Sequence, residues 1–450
     1  MKAKRVLIIV VAVLSASMAA DSGDDHRTWK SIDLQNELIT VAVVPKIGGR
    51  IIQFKLGDYG FFWVNQELAG IDPPASGLGP NDSWLNYGGD KLWIAPQGWD
   101  NDQQWPGPPD AVLDGGPYAA QTLPKDGRII SVELTSAKDE RSGVQLSRTV
   151  RIGRHNTRVS FRAKMTNIDT RPRRWGIWSH TQLDAGNRHG EGYNPDYWGY
   201  CPLNSKSIFP KGYDVLFGLA RNSSYIPDYA KGLMQVHYLR RVGKIGLDSD
   251  AGWIATVDAT DGYVFVQRFN YEPDKPYPDN SSVEFWMNGL GEFVAWGKVT
   301  KMPENPRDNP YIFESEMIAP FESLEPGQSC SFEYEWYAAK IGKGLPVIDC
   351  RDVGIICEPF LAEQSDGKII LSGSFGVFYE GYMELIFGDE NGKEIKGNPS
   401  LVPITPLEEV NLSLFEGIIK PKGARQVTLF IYDVDKKLVG ELAHTQIVTQ

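Results

Sequence analysis

Three stretches of the chain hold residues whose types and spacing can do chemistry. "WLNYGGDKLWIAPQGW", Trp84 to Trp99, gathers three tryptophans, a tyrosine, a Gly-Gly pair and an Asp-Lys couple. Sugar rings present apolar C–H faces that stack on aromatic rings, while their hydroxyls need directional donors and acceptors. Trp84, Trp93 and Trp99 supply the first requirement, and Asn86, Asp90, Lys91 and Gln97 the second. Trp105 and Tyr118 extend the set, and "EGYNPDYWGYCP" repeats the same mix as a candidate opposite wall. The plainer alternative is that these rings close the end of a sandwich and touch only protein.

In "WGIWSHTQLD" the strand period of two sets His180 on one face with Trp178 and Gln182. In "YIFESEM" it sets Glu314 and Glu316 on one face and Phe313, Ser315 and Met317 on the other. A histidine and a carboxylate facing one sugar ring are the acid and base that interconversion of aldose anomers requires. Against this stand a half-buried histidine bonded to backbone and a glutamate face in water. Close burial of both carboxylates would raise one pKa and let that group hold a proton.

Other chemistries lack their signatures. The six histidines show no HExxH or HxxEH spacing, and there is no GxSxG elbow, Walker loop or dinucleotide fingerprint. The acidic loops "DNDQQW" and "LDSD" lack the EF-hand ligand pattern, so neither a metal nor another cofactor is expected.

The elements that must position these residues read as strands. "LITVAVVP", "GRIIQFKL", "RIISVELTS", "VQLSRTVRI", "RVSFRAKMTN", "YVFVQRFN", "SVEFWMN" and "SCSFEYEWYAA" alternate apolar and polar residues or are rich in β-branched and aromatic ones. No amphipathic helix stands out. Long loops rich in Gly, Pro, Asn and Asp, such as "GIDPPASGLGPNDSW", separate the strands, as functional excursions in β proteins do. Around "KIGKGLPVID" a Gly/Pro connector appears and aromatic density falls, which marks a domain boundary. Beyond it, short strands and the hairpin signal "DENGKE" predict a small antiparallel sandwich.

The order of these segments resembles the galactose mutarotase-like (aldose 1-epimerase-like) superfamily from about Trp29 to Lys340. "VAVVPKIGGRIIQFKLGDYGFFWVN" is similar to its opening, where a Gly-Gly-Arg turn joins two strands. "LDGGPYAA" stands where that superfamily carries Leu-His-Gly-Gly. "SRTVRIGRHNTRVSFRAKMTNIDTRPRRWGIWSHTQLD" and "YIFESEMIAPFESLEPGQSCSFEYEW" are similar to its His-bearing and Glu-bearing strands. The resemblance implies a β-supersandwich with a carbohydrate cleft, His180 as acid and Glu316 or Glu314 as base, with Glu316 preferred. It also implies substrate contacts from Arg50 and Trp178. Asp114 replaces the superfamily's histidine, and Asn86 and Lys91 are the nearest match to its Asn-Arg pair. "NYGGDKLW" and "APQGW" also look like a branch of that superfamily without an assigned function.

Ahead of these segments, Lys2, Lys4 and Arg5 precede the apolar run Val6 to Ala16 and the small residues Ser17-Met18-Ala19. This reads as a secretory signal peptide over residues 1–19, with an uncleaved N-terminal anchor as the alternative. The run is shorter than the roughly 20 residues that span a bilayer. The net charge of −11 excludes nucleic acid as a partner, since phosphate contacts need clustered Lys and Arg. Cys201, Cys330, Cys350 and Cys357 lack CxxC spacing and allow zero, one or two disulfides.

The sequence therefore predicts an all-β chain: a mutarotase-like β-supersandwich over residues 27–340, then a small β-sandwich over 347–450. The function expected is a secreted or periplasmic carbohydrate-binding protein with a mutarotase-like cleft, with action on a sugar as an epimerase or mutarotase-type enzyme left open. The alternatives are a non-catalytic glycan-binding or scaffold module and a polysaccharide lyase or glycosidase. The expected partner is a mono- or oligosaccharide, with no membrane span in the mature chain.

Overall fold

The computed structural model describes residues 29–449, apart from 125, 128, 296–297, 343–345, 366–367, 396–400 and 416. The proposed signal peptide and the middle of the connector lie outside the described residues. Among the described residues the chain is all-β, and its helical pieces are short 3-10 turns. No helix among them is long and apolar enough to cross a membrane.

Two large sheets make up the first part. The first runs in the order Ile32–Gln35, Ile39–Val44, Arg50–Leu56, Asp90–Ala95, Arg173–Asp184, Ile312–Ile318, Val283–Met287, Gly243–Leu247 and Asp214–Gly218. The second centres on Tyr263–Phe269, Ser329–Lys340, Val159–Asn167 and Val144–Ile152. Their facing sides share one core. Phe54 of the first sheet lies 5.8 Å from Phe265 and 6.0 Å from Trp336 of the second, ring centre to ring centre. This is the two-layer supersandwich expected from the sequence.

Strands at the middle of the first sheet are buried on both faces, which explains why their alternation is muted. Every residue of Asp90–Ala95 and of Ile312–Ile318 is buried. One face packs on the second sheet, and the other lies under the loops that build the cleft. The Glu314 and Glu316 face is therefore not a solvated one.

Two glycine turns bring the cleft wall into place. Gly48 adopts φ +79, and a Cβ there would stand 1.9 Å from the Asp114 carbonyl oxygen, so only glycine lets the Asp114 loop close over the turn before Arg50. Gly89 adopts φ +70, with Ile51 backbone 2.4 Å from where its Cβ would be, and this close approach docks the Asp90 strand on the Arg50 strand.

A third sheet follows, built from Asp349–Cys350, Gly354–Ser365, Lys368–Val377, Gly381–Gly388, Glu394–Ile395, Leu401–Ile404, Gln426–Asp433 and Leu438–Thr449. It wraps a core of its own around Phe375, Met383, Val427 and Leu442. It also packs on the second sheet, where the Tyr337 and Phe378 rings stack at 4.4 Å. All four cysteines are free thiols.

Candidate functional site

The register of four neighbouring strands decides which side chains meet. Trp178 pairs with Trp93, His180 with Lys91 and with Glu316, Gln182 with Glu314, Trp286 with Glu314, and Glu284 with Glu316. Directly paired residues share a face, so one outer face carries an aromatic row of Trp93 and Trp178, an ionisable row of Lys91, His180, Glu316 and Glu284, and a mixed row of Gln182, Glu314 and Trp286. A cavity of about 410 Å³ opens above it. Trp63, Trp84, Trp93, Trp99, Trp178 and Trp286 line it, with Asn65, Asn86, Gln97, His180, Gln182, Lys244, Asn288 and Glu314 as polar groups.

Its central feature is the His180–Glu314 pair. His180 Nε2 lies 2.9 Å from Glu314 Oε2, and the Gln182 amide donates to Glu314 Oε1 at 2.7 Å. The His180 ring rests on Trp93, ring centres 4.2 Å apart, which fixes its orientation. Burial works against the Glu314 carboxylate, yet the charge and hydrogen bond of His180, with Lys91 and Gln182, outweigh it and hold the group below the usual range.

Glu316 does not share this position. It is fully buried, and its Oε2 accepts from the Trp178 indole at 2.7 Å and from the Lys244 ammonium at 2.9 Å. Lys244 also reaches Glu284 Oε2 at 2.6 Å. The preference for Glu316 as the base is thus corrected: Trp178 and Lys244 cover it, and Glu314 is the carboxylate that lines the cavity.

Three other expected contacts are structural. Asp90 faces the opposite way, into the space between the sheets, where it pairs with Arg148 of the second sheet and accepts from Thr181 Oγ1 at 2.9 Å. Asp114 is a pin behind the wall. It accepts from Arg50 Nη2 at 2.9 Å, from the Trp84 indole at 2.7 Å and from the Trp93 indole at 3.1 Å. Arg50 is fully buried in that pair and does not line the cavity. Trp84, Asn86, Trp93, Gln97 and Trp178 do line it, with His180 and Glu314.

Lys91 lies beneath the surface of the wall. Its ammonium sits 4.9 Å from the Trp84 ring centre and 4.7 Å from that of Trp93, and 3.4 Å from Asn86 Oδ1. Burial, with repulsion from Arg50, pulls it down to about 7 in spite of Asp114, Glu314 and Asp90.

His180, Glu314 and Glu316 each offer a ligand atom within 4.8 Å of one another, spacing that a metal ion could use. Both Glu314 oxygens, His180 Nε2 and Glu316 Oε2 are already engaged with Gln182, Trp178, Lys244 and each other, Glu316 Oε1 and His180 Nδ1 lack a partner, and Lys91 and Lys244 flank the group. A divalent ion would meet that positive charge.

Several lining residues went unread in the sequence. The alternation in "SVEFWMN" sets Glu284, Trp286 and Asn288 on one face, and the lone lysine of the apolar strand "GKIGL" is Lys244; both were available signals.

Residues 29–189 match a family described as a domain of unknown function (DUF4380). That stretch holds the tryptophan segment and the His180 strand, and ends before the Glu284 and Glu314 strands. No curated protein is matched by sequence. Among solved structures, a galactose mutarotase-like protein from Lactobacillus casei is similar over 68% of this chain and 99% of its own, at 12% identity and a TM-score of 0.44. Another from Clostridium acetobutylicum is similar over 69% and 95%, at 10% identity and a TM-score of 0.42. A TPR-domain containing protein from Parabacteroides distasonis matches 68% of this chain at 14% identity and a TM-score of 0.44, and this chain spans 46% of its length.

Proposed function

We propose that the cavity binds the ring of a sugar and that His180 and Glu314 exchange protons with it. The observation that carries this reading is the junction of a tryptophan-lined cavity with a buried, hydrogen-bonded histidine and carboxylate. Stacking on indole faces takes up the apolar side of a ring, and the amides and carboxylate meet its hydroxyls.

A hemiacetal's ring oxygen and anomeric hydroxyl share one carbon, so an acid and base that serve both must lie side by side. His180 and Glu314 do. Glu314, ionised at neutral pH, takes the proton of the anomeric hydroxyl while His180 delivers one to the ring oxygen. The bond between the anomeric carbon and the ring oxygen breaks, giving the open-chain aldehyde. Rotation and the reverse transfers close the other anomer: Glu314 gives its proton to the carbonyl oxygen and His180 takes back the proton of the ring hydroxyl, which restores both groups to their starting state.

A second reading, capture of a glycan without turnover, is favoured by the mutual satisfaction of the pair: each already has the partner the other offers. The lyase or glycosidase reading finds less support, because only one of the two adjacent glutamates faces the cavity. In either case residues 27–340 form the sugar-handling unit, 347–450 an accessory sandwich, and residues 1–19 an export signal. A calorimetric screen of monosaccharides and short glycans, with anomer exchange followed by NMR on each binder, tests the reading. Binding with exchange faster than in buffer supports catalysis, binding alone supports capture, and no binding refutes both.

A further inference from the structure

Beside the main cavity lies a chamber of about 130 Å³ with Gln97, Trp178, Phe217 and Lys244 in common with it. Its own lining includes Glu284 and Asp279. Glu284 is 1% exposed; its Oε2 is held by Lys244 and its Oε1 has no hydrogen-bond partner. Glu316 stands behind with its Oε1 also unpartnered. Asp279 reaches the chamber from the solvent side on a turn in which it and Asn280 adopt φ +50 and +53, a left-handed pair without glycine.

We propose that this chamber is a subsite for the ammonium group of an amino-substituted sugar, seated between Glu284 Oε1 and the Asp279 carboxylate. The proposal rests on the sugar reading of the main cavity and extends it. Three carboxylates, Glu284, Glu316 and Asp279, here face one ammonium, that of Lys244. A buried excess of negative charge is costly unless a cation or a proton offsets it; before a ligand enters, a proton held by Glu284 does part of this, and an entering ammonium can displace it. A hydroxyl brings no charge to do so. A divalent metal ion would sit against the Lys244 ammonium, whereas one further ammonium takes the proton's place at Glu284 and matches acceptor oxygens with donors. The chamber's size suits a compact group and not a guanidinium carried on a long stem.

The test is calorimetry of the full chain with matched trios: glucose, glucosamine and N-acetylglucosamine, and the galactose and mannose equivalents. The free amine of the preferred trio binds roughly tenfold or more tightly than its parent sugar. Glu284→Gln and Asp279→Asn each remove most of that difference while the parent sugar binds as before, and the second variant lies at the surface, where it leaves folding undisturbed. Equal affinity for amine and parent, or preference for the N-acetyl form, overturns the proposal and leaves the sugar reading standing. Absence of binding by every member overturns both. Binding of calcium chloride alone, with loss of the amine preference in its presence, would instead make the chamber an inorganic cation site and overturn the proposal.

Discussion

His180 stands opposite Glu316 in the strand register yet gives its hydrogen bond to Glu314, diagonally across the pair, at 2.9 Å. The diagonal follows from competition: the Trp178 indole and Lys244 hold Glu316, so the free carboxylate within reach is the one Gln182 steadies. This choice makes Glu314 the base in the proposed exchange. His180→Ala and Glu314→Gln should each lower the anomer exchange rate by about 100-fold with little change in affinity. NMR exchange measurements on the best-bound sugar check this, and unchanged rates in both variants would leave capture as the function.

Asp114 should matter to stability more than to chemistry. It is the carboxylate for the buried Arg50 and the acceptor for two wall indoles. Asp114→Ala should destabilise the fold by about 3–5 kcal/mol, because it leaves a buried guanidinium uncompensated. Urea unfolding measures the change, and a loss below about 1 kcal/mol would mean that Arg50 finds another partner.

Two buried groups should give stability opposite slopes with pH. Burial, with Glu316 and Asp279 against the pull of Lys244, lifts Glu284 from 4.5 to about 8. The folded chain then keeps a proton the unfolded chain has lost, so this contribution is full below 4.5 and is lost as pH rises through about 8. Lys91 is lowered from 10.5 to about 7, so its contribution is full above 10.5 and is lost as pH falls through about 7. Glu284→Gln should flatten the falling limb and Lys91→Met the rising one in urea midpoints taken across that range. Slopes that survive both substitutions would assign them to other groups.

The four thiols should be inert in the folded protein. Burial pushes Cys201, Cys330, Cys350 and Cys357 each up to about 12, which leaves almost no thiolate at neutral pH. A chromogenic disulfide reagent should react only after denaturant is added; a fast native phase would contradict this.

What the sequence showed, and what it hid, follows from the range of the interactions. The period of two was enough to put Trp178, His180 and Gln182 on one face of their strand and Glu314 with Glu316 on one face of theirs, since parity within a strand is local. It was also the rule that separates Asp90 from Lys91, but applying it to burial needs to know which face looks at the second sheet. That depends on Arg148, 58 residues away, whose guanidinium claims Asp90. Asp114 likewise read as a ligand because its partners, Arg50, Trp84 and Trp93, come together only through loop closure over Gly48. Lys244 and Glu284 escaped notice since each looks like one charge in an apolar strand until the sheet order sets them beside Glu316.

The central claim is that the tryptophan cavity holds a sugar ring, and Trp286 tests it best because it is a partly exposed ring on the cavity wall. The direct measurement is calorimetric titration of wild type and Trp286→Ala with the tightest-binding sugar of the screen. The account predicts a loss of roughly tenfold or more in affinity with folding unchanged by circular dichroism. Equal affinity in the two proteins would place the sugar elsewhere and contradict the account.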